Sequence, residues 1–262
     1  MHLRDNIVKP SRILSKIHFL FAILFAIAAP LFAQMEQSSP SSIPKEVLTA
    51  TNAPARLSPM ADTNTGDAVS KIFVEDRITL EFMAGALFSP CGLGPTAPVF
   101  NYQQNNIRLG WMLDSPNSWG PCADIDSPLR GNFEGIFETT GSYIWHSFGT
   151  YMVGITGLLR YNFVQPNWIV VPYVQGGAGI VYTNARNWSN QDAIGGNWEF
   201  TPQFSGGLKF LIDDNFSFNI EGAFQHISNA NTSARNEGVN AYGGFAGFTY
   251  YFDNLWLEDG HH

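Results

Sequence analysis

From Arg77 onward the sequence is built from segments of about 10 residues in which apolar and polar side chains alternate. Eight segments can be distinguished, at approximately 77–88, 104–113, 130–141, 150–163, 169–183, 198–212, 216–228 and 240–252. Turn-forming residues separate them, as in Ser89-Pro90 and Asp213-Asp214-Asn215. No helical period of apolar residues competes with this pattern, which predicts an all-β domain of eight antiparallel strands.

The alternation in the seventh segment indicates what surrounds these strands. Its even positions are mostly large and apolar (Phe216, Phe218, Ile220, Phe224), and its odd positions are mostly polar (Ser217, Asn219, Glu221, Gln225). Aromatic residues collect near segment ends, among them Trp111, Trp168, Tyr173, Trp198 and Tyr251. Such strands, in an even number, are typical of a closed outer-membrane β-barrel with a lipid-facing surface and a polar interior. A soluble β-sandwich also alternates and remains the alternative.

The N-terminus has the pattern of a secretory signal. Four basic residues precede the apolar run 19–29, and the small residue Ala33 follows it. The run is too short for a membrane helix, which needs about 20 residues. We therefore expect a signal peptide over 1–33 and export to the outer membrane of a Gram-negative-type cell, with an uncleaved anchor as the alternative.

Composition divides the remaining chain and limits its partners. Residues 34–76 are rich in Ser, Pro, Thr and Asn and predict a disordered, low-complexity leader; 77–252 would form the eight-stranded barrel and 253–262 a tail. The formal net charge of −8 makes nucleic acid an improbable partner. The predicted strands place Cys91 and Cys122 at opposite ends of the barrel, so we expect no disulfide. No metal or other cofactor is expected.

The end of the seventh strand carries a potential catalytic pair. His226 and Ser228 are two residues apart, so they share one face of a strand, and they continue the even, lipid-facing series. A serine nucleophile needs a base such as histidine. If both termini are periplasmic, this strand ends at the outer leaflet, which suggests a membrane lipid as substrate. The alternative is a pair of polar residues at the barrel rim.

Two adjacent stretches resemble a known family. His226-Ile227-Ser228-Asn229-Ala230, followed by Asn236-Glu237-Gly238-Val239-Asn240, is similar to the signature of the lipid A 3-O-deacylase (PagL-type) family of eight-stranded outer-membrane barrels. The resemblance extends over about 77–252 and includes 159–163, 172–179 and 197–200. It implies hydrolysis of the ester that joins a 3-hydroxyacyl chain to lipid A of lipopolysaccharide. Ser228 would be the nucleophile and His226 the general base, and Asn229 would contribute to the oxyanion hole.

The sequence departs from the family at two positions. The acidic third member falls on Asn240, whose amide oxygen can orient His226 but cannot neutralise an imidazolium; Glu237 is the alternative. Asn231 stands where the family commonly has glycine. Two further questions stay open: Arg160 either contacts lipid phosphates or points into the lumen, and a non-catalytic structural or adhesive barrel of the same fold is the rival function. The sequence does not indicate an oligomeric state.

Overall fold

The computed structural model describes residues 68–89, 99–116 and 127–252. All of them belong to one compact unit, Ala61–His262. The predicted signal peptide, most of the predicted leader, the C-terminal tail and both cysteines lie outside the described residues. None of the helices within these three ranges is long and apolar enough to span a membrane.

Among the described residues, nine β-strand segments occupy the regions in which the alternating pattern predicts strands. They are β1 (Ile78–Phe88), β2 (Asn101–Met112), β3 (Gly131–His146), β4 (Tyr151–Phe163), β5 (Val170–Thr183), β6 (Trp198–Phe200), β7 (Gln203–Leu211), β8 (Phe216–Ile227) and β9 (Val239–Tyr251). The sixth predicted strand is split into β6 and β7 at Thr201-Pro202, since proline has no N–H to donate to a neighbouring strand. Both pieces pair with β5, so they fill one strand position.

The sheet closes on itself. If β6 and β7 are taken as one strand position, each position pairs antiparallel with the next along the chain, and β9 pairs with β1 from Thr79↔Tyr251 to Phe88↔Tyr242. The result is an eight-stranded antiparallel barrel, which confirms the predicted fold class. Because β1 begins and β9 finishes at the same end, we call that the terminal end. The opposite end, where β8 finishes, is called the site end.

Charged side chains fill the middle of the barrel. Glu81 accepts hydrogen bonds from Arg108 Nη1 at 2.7 Å and Arg160 Nη2 at 2.8 Å, and its Oε2 lies 3.4 Å from Lys209 Nζ. Arg108 also binds Glu221 at 2.7 Å. The side chain of Arg160 therefore points into the lumen and not toward lipid phosphates. Tyr173 and Tyr251, which the sequence grouped with strand-end aromatics, also point inward and are buried.

Apolar side chains close both ends of this polar interior. At the site end the buried cluster includes Leu87, Phe100, Ile144, Ile194, Ile227 and Val239. At the terminal end, Val69, Ile72 and Phe73 pack against Met112, Val164, Val171 and Tyr251. The segment 68–76, assigned from composition to the disordered leader, is thus folded: it begins with a 3-10 helix at Ala68–Lys71 and packs against the barrel. The composition of the region did not indicate that Val69, Ile72 and Phe73 would anchor this segment to the barrel.

The outer surface is apolar, as the parity of the strands predicts. Outward side chains such as Phe82, Leu159, Phe204 and Phe248 are each about half exposed. Trp198 and Trp168, near opposite ends of the barrel, are also exposed. An apolar wall with aromatic residues toward both rims is suited to contact with lipid.

Candidate functional site

His226 lies on the outer face near the end of β8. Odd-numbered residues of this strand, such as Gln225 and Ile227, are buried inside, whereas His226 is half-buried and belongs to the even, outward row. Its direct partner on β9 is Asn240, which belongs to the outward row of that strand. The predicted neighbourhood of these two residues is therefore present.

A hydrogen bond fixes the imidazole. His226 Nδ1 lies 2.7 Å from Asn240 Oδ1. An amide oxygen only accepts, so Nδ1 must carry the proton and donate it. In the neutral ring, Nε2 then keeps a lone pair and can act as a base. Asn240 thereby sets the tautomer that base catalysis requires.

Gly238 packs directly on the imidazole ring. A Cβ added at this glycine would lie 3.0 Å from His226 Cε1 and 3.5 Å from Nε2. Its φ of +75° lies in the left-handed region, which disfavours other residues. The close approach and the backbone conformation therefore both require glycine at this position. Because Gly238 has no side chain, the imidazole ring of His226 can occupy the adjacent space.

Ser228 immediately follows β8 and is held by its backbone. Its N–H donates to Phe200 O at 3.1 Å, and Phe200 N–H donates to its carbonyl at 2.7 Å. Its side chain is half-buried and shares the outward row with His226. Within the described part of the chain, the hydroxyl forms no hydrogen bond with the imidazole. The structure thus places both groups on one face, two residues apart, without joining them.

Asn229 points the other way. Its side chain is fully buried, Nδ2 donates to Arg235 O at 2.8 Å, and its backbone N–H donates to Asn236 Oδ1 at 2.8 Å. These bonds fold the loop after Ser228, and its share in an oxyanion hole stays a prediction. Ala230 and Asn231 follow with φ of 51° and 63°. Asparagine tolerates this left-handed conformation best after glycine.

Glu237 is not the partner of the imidazole in this structure. Its side chain is exposed, and its backbone N–H donates to Asp192 O at 3.0 Å. The next N–H, of Gly238, donates to Ala193 O at 3.0 Å. The loop 229–238 is thus attached to the loop between β5 and β6, with Glu237 at its surface. Of the two residues considered for orienting His226, only Asn240 contacts it.

Two residues near the site carry no signal in the sequence that assigns them a role. Arg235 donates to Trp188 O and Arg186 O, both at 2.7 Å, and so joins the two outer loops. Glu199 lies on the inner side of β6, opposite Asn229, and is 1% exposed. The alternation along the strand was the one signal that could have placed the Glu199 side chain in the lumen. No sequence signal could have indicated the loop contact of Arg235, because that contact forms only in the folded chain. Among the described residues, no cluster of three or more His, Cys, Asp or Glu is arranged to hold a metal ion.

Comparisons with known proteins identify the family to which the chain belongs. The model of a family described as lipid A 3-O-deacylase (PagL) matches residues 102–249. The crystal structure of the outer membrane enzyme PagL is similar, with 20% sequence identity and a TM-score of 0.43. The match covers 64% of this chain and 97% of the PagL chain. The crystal structure of Neisserial surface protein A has 13% sequence identity and a TM-score of 0.46. That match covers 67% of this chain and 97% of the neighbour's chain. No curated protein matches the chain. Because the family match spans more than half of its length, the chain belongs to the lipid A 3-O-deacylase (PagL) family.

Proposed function

We propose that this protein is an outer-membrane serine esterase that removes the 3-O-linked hydroxyacyl chain of lipid A. Ser228 is the nucleophile, His226 the general base and Asn240 the residue that orients the base. The observation that carries the proposal is the His226 Nδ1 to Asn240 Oδ1 hydrogen bond of 2.7 Å, formed on the outward face that also holds Ser228. A base prepared on the lipid-facing wall is suited to a substrate that arrives through the membrane.

The proposed reaction has two steps with balanced proton transfers. In the first, His226 Nε2 takes the proton of Ser228 Oγ while Oγ attacks the ester carbonyl carbon. The tetrahedral intermediate collapses when the imidazolium returns this proton to the 3-oxygen of the sugar, which leaves an acyl-serine. In the second, His226 deprotonates a water that attacks the acyl-serine, and Ser228 regains its proton as the hydroxy fatty acid is released.

The neutral third member changes what stabilises the charge. Asn240 holds the Nδ1–H tautomer but carries no negative charge to balance the imidazolium that forms in each step. More of the stabilisation must then come from donors to the oxyanion, an effect worth about 3–4 kcal/mol in other acyl-transfer enzymes. We assign this role to the loop that Asn229 folds, since the Nδ2 and the backbone N–H of Asn229 itself already donate to Arg235 O and Asn236 Oδ1.

The outer wall beside the site has room for an acyl chain. The first row of outward residues below His226 is aromatic: Phe204, Phe224 and Tyr242 lie opposite one another on β7, β8 and β9. The next row is Gly206, Gly222 and Gly244. A Cβ added at Gly222 would have no neighbour closer than Gly206 O at 4.0 Å, so no packing contact requires glycine there. A shallow apolar strip of this kind supports a lipid substrate.

The function is tested on lipid A itself. Cells whose lipid A carries a 3-O-hydroxyacyl chain would express this protein or, as a control, a barrel of similar size without the His226-x-Ser228 pair. We expect mass spectrometry to show loss of one hydroxyacyl chain only with this protein. Unchanged lipid A, with the protein folded in the outer membrane, would instead favour the non-catalytic structural or adhesive barrel.

The residue that orients His226 can be identified by comparing two alanine variants. Asn240→Ala removes the Nδ1 acceptor, and we expect deacylation to fall about 10- to 100-fold, the range of one to two hydrogen-bond energies. Glu237→Ala removes an exposed carboxylate and should stay near wild type. Asn240→Glu should hold or raise activity, because a carboxylate also stabilises the imidazolium. A larger loss for Glu237→Ala in an assay of released fatty acid would reverse the assignment.

A further inference from the structure

Two amide side chains lie on the outer wall of the barrel, away from the proposed site. Gln103 and Asn105 belong to the outward row of β2, in which they alternate with the buried residues Gln104 and Asn106. Gln103 Nε2 donates to Asn105 Oδ1 at 3.0 Å, and we call these two side chains the amide pair. Among the described residues, neither side chain forms another hydrogen bond. Gln103 Oε1 and Asn105 Nδ2 therefore stay available to a partner.

The height of the amide pair along the barrel places it within the apolar band. Trp111, the outward aromatic residue near the terminal end of β2, is six residues from Asn105 and eight from Gln103. A strand rises about 3.3 Å per residue and is tilted by about 40° in such a barrel, so each residue adds about 2.5 Å of height. Asn105 therefore lies about 15 Å and Gln103 about 20 Å above Trp111, within a band about 25 Å tall. An amide that faces hydrocarbon there is costly unless it is bonded.

Other polar side chains of the outward rows either belong to the proposed site or bond to the barrel itself. Thr139 Oγ1 donates to Ile107 O at 3.4 Å, and Asn101 Oδ1 accepts from Ser89 N–H at 3.3 Å. The amide pair differs, since the hydrogen bond within it uses only part of its donors and acceptors. Of the outward polar groups away from the site that the structure describes, it is the one that most needs a partner from outside the chain.

The surface around the amide pair is open to close approach. The pair is flanked by Ala84 and Ala86 on β1 and by Gly141 and Tyr143 on β3. A Cβ added at Gly141 would have no atom within 4 Å, and Tyr143 is 61% exposed beside it. Between membrane helices, small residues let two backbones come close, and polar side chains then bond across the contact. The same combination of small residues and amides is present on this wall.

We propose that the outward face of β1–β3 around the amide pair is a contact surface for a second copy of this chain. Copies that insert in the same orientation hold a given residue at the same depth, so a two-fold axis along the membrane normal places the two amide pairs opposite each other. Gln103 Oε1 of each copy then accepts from Asn105 Nδ2 of the other. The inference stands apart from the proposed function. The contact leaves His226 open to lipid, because that residue lies three strand positions from β2.

A neighbouring lipid fits the amide pair less well than a second copy does. The polar linkages of a lipid lie close to the headgroups, whereas Asn105 lies about 10 Å below the upper edge of the apolar band. A second copy offers both a donor and an acceptor at the depth of the pair.

Association in lipid vesicles tests the contact. Full-length protein is labelled in two portions with a donor and an acceptor fluorophore and reconstituted at a series of protein-to-lipid ratios, so that energy transfer reports the fraction of dimers. We expect wild type to dimerise and the double variant Gln103→Leu/Asn105→Leu to associate about 10- to 100-fold more weakly, because two reciprocal hydrogen bonds are lost. A wild type that stays monomeric at every ratio would overturn the proposal, and so would equal association of the double variant.

A matched pair of glycine variants tests the location of the contact. Gly141 and Gly157 both lie in outward rows, and a Cβ at either would have no atom within 4 Å, so Gly141→Leu and Gly157→Leu should both fold. Gly141→Leu adds bulk beside the amide pair and should weaken association at least as strongly as the loss of the amides. Gly157→Leu, on β4, should associate as wild type does. Equal energy transfer in the two variants would refute this surface. Loss of tightly bound lipid from the double variant, with no change in oligomeric state, would assign the amides to a lipid instead.

Discussion

Ser228→Ala is expected to abolish deacylation of lipid A, with a loss of at least about a thousandfold, because a serine esterase without its nucleophile keeps only the contribution of binding and oxyanion stabilisation. The fold should be unaffected. Ser228 is held to Phe200 by two backbone hydrogen bonds, at 3.1 and 2.7 Å, which the substitution leaves in place. The measurement is release of hydroxy fatty acid from lipid A by purified protein in detergent.

Ser189→Ala is the matched control. This serine is exposed in the loop between β5 and β6, on the same end of the barrel as the site. Its replacement should leave the rate of fatty-acid release unchanged. If Ser228→Ala retained the rate of wild type while both variants were folded, Ser228 would not be the nucleophile, and a mechanism without covalent catalysis would have to be sought.

Glu81→Ala should destabilise the barrel more than any surface substitution. Glu81 accepts from Arg108 at 2.7 Å and from Arg160 at 2.8 Å, and it lies near Lys209, all inside the wall. Removing one partner of a buried ion pair leaves the opposite charge uncompensated, at a cost of about 3–5 kcal/mol. We expect a clearly lower urea midpoint for unfolding from detergent micelles.

The control for this substitution is Glu75→Ala, at an exposed acid that is only six residues away in sequence. Its urea midpoint should match that of wild type, since exposed charges contribute little. Equal midpoints for Glu81→Ala and Glu75→Ala would mean that Arg108, Glu138 and Glu221 form a self-sufficient cluster, and that Glu81 is not the centre of the interior network.

The strands and the position of His226 followed from one regularity. Side chains alternate along a strand, so parity alone placed His226 outward, and barrel closure brought Asn240 beside it. The same parity places Tyr173 and Tyr251 inside, where both are buried, and not among the aromatic residues of the rims. The break at Pro202 was not predicted, although a proline interrupts pairing.

Contacts between loops were beyond the reach of the sequence. The three carbonyls that Arg235 binds belong to Arg186, Trp188 and Gln191, more than 40 residues earlier, and no periodicity connects the two loops. The choice between Asn240 and Glu237 was likewise open, because the sequence does not fix the path of the loop that carries Glu237. The backbone bond from Glu237 to Asp192 turns that loop toward the neighbouring loop, and the hydrogen bond of His226 is formed with Asn240.

The packed lumen has a consequence for how such an enzyme would meet its substrate. With the ion pairs of Glu81 at mid-height and apolar clusters at both ends, the interior offers no passage for a lipid, and the proposed site lies on the outer face. Reactant and released acyl chain would both travel by lateral diffusion in two dimensions. Turnover would then respond to the number of lipid molecules per unit area of leaflet, and diluting the aqueous phase would leave it unchanged.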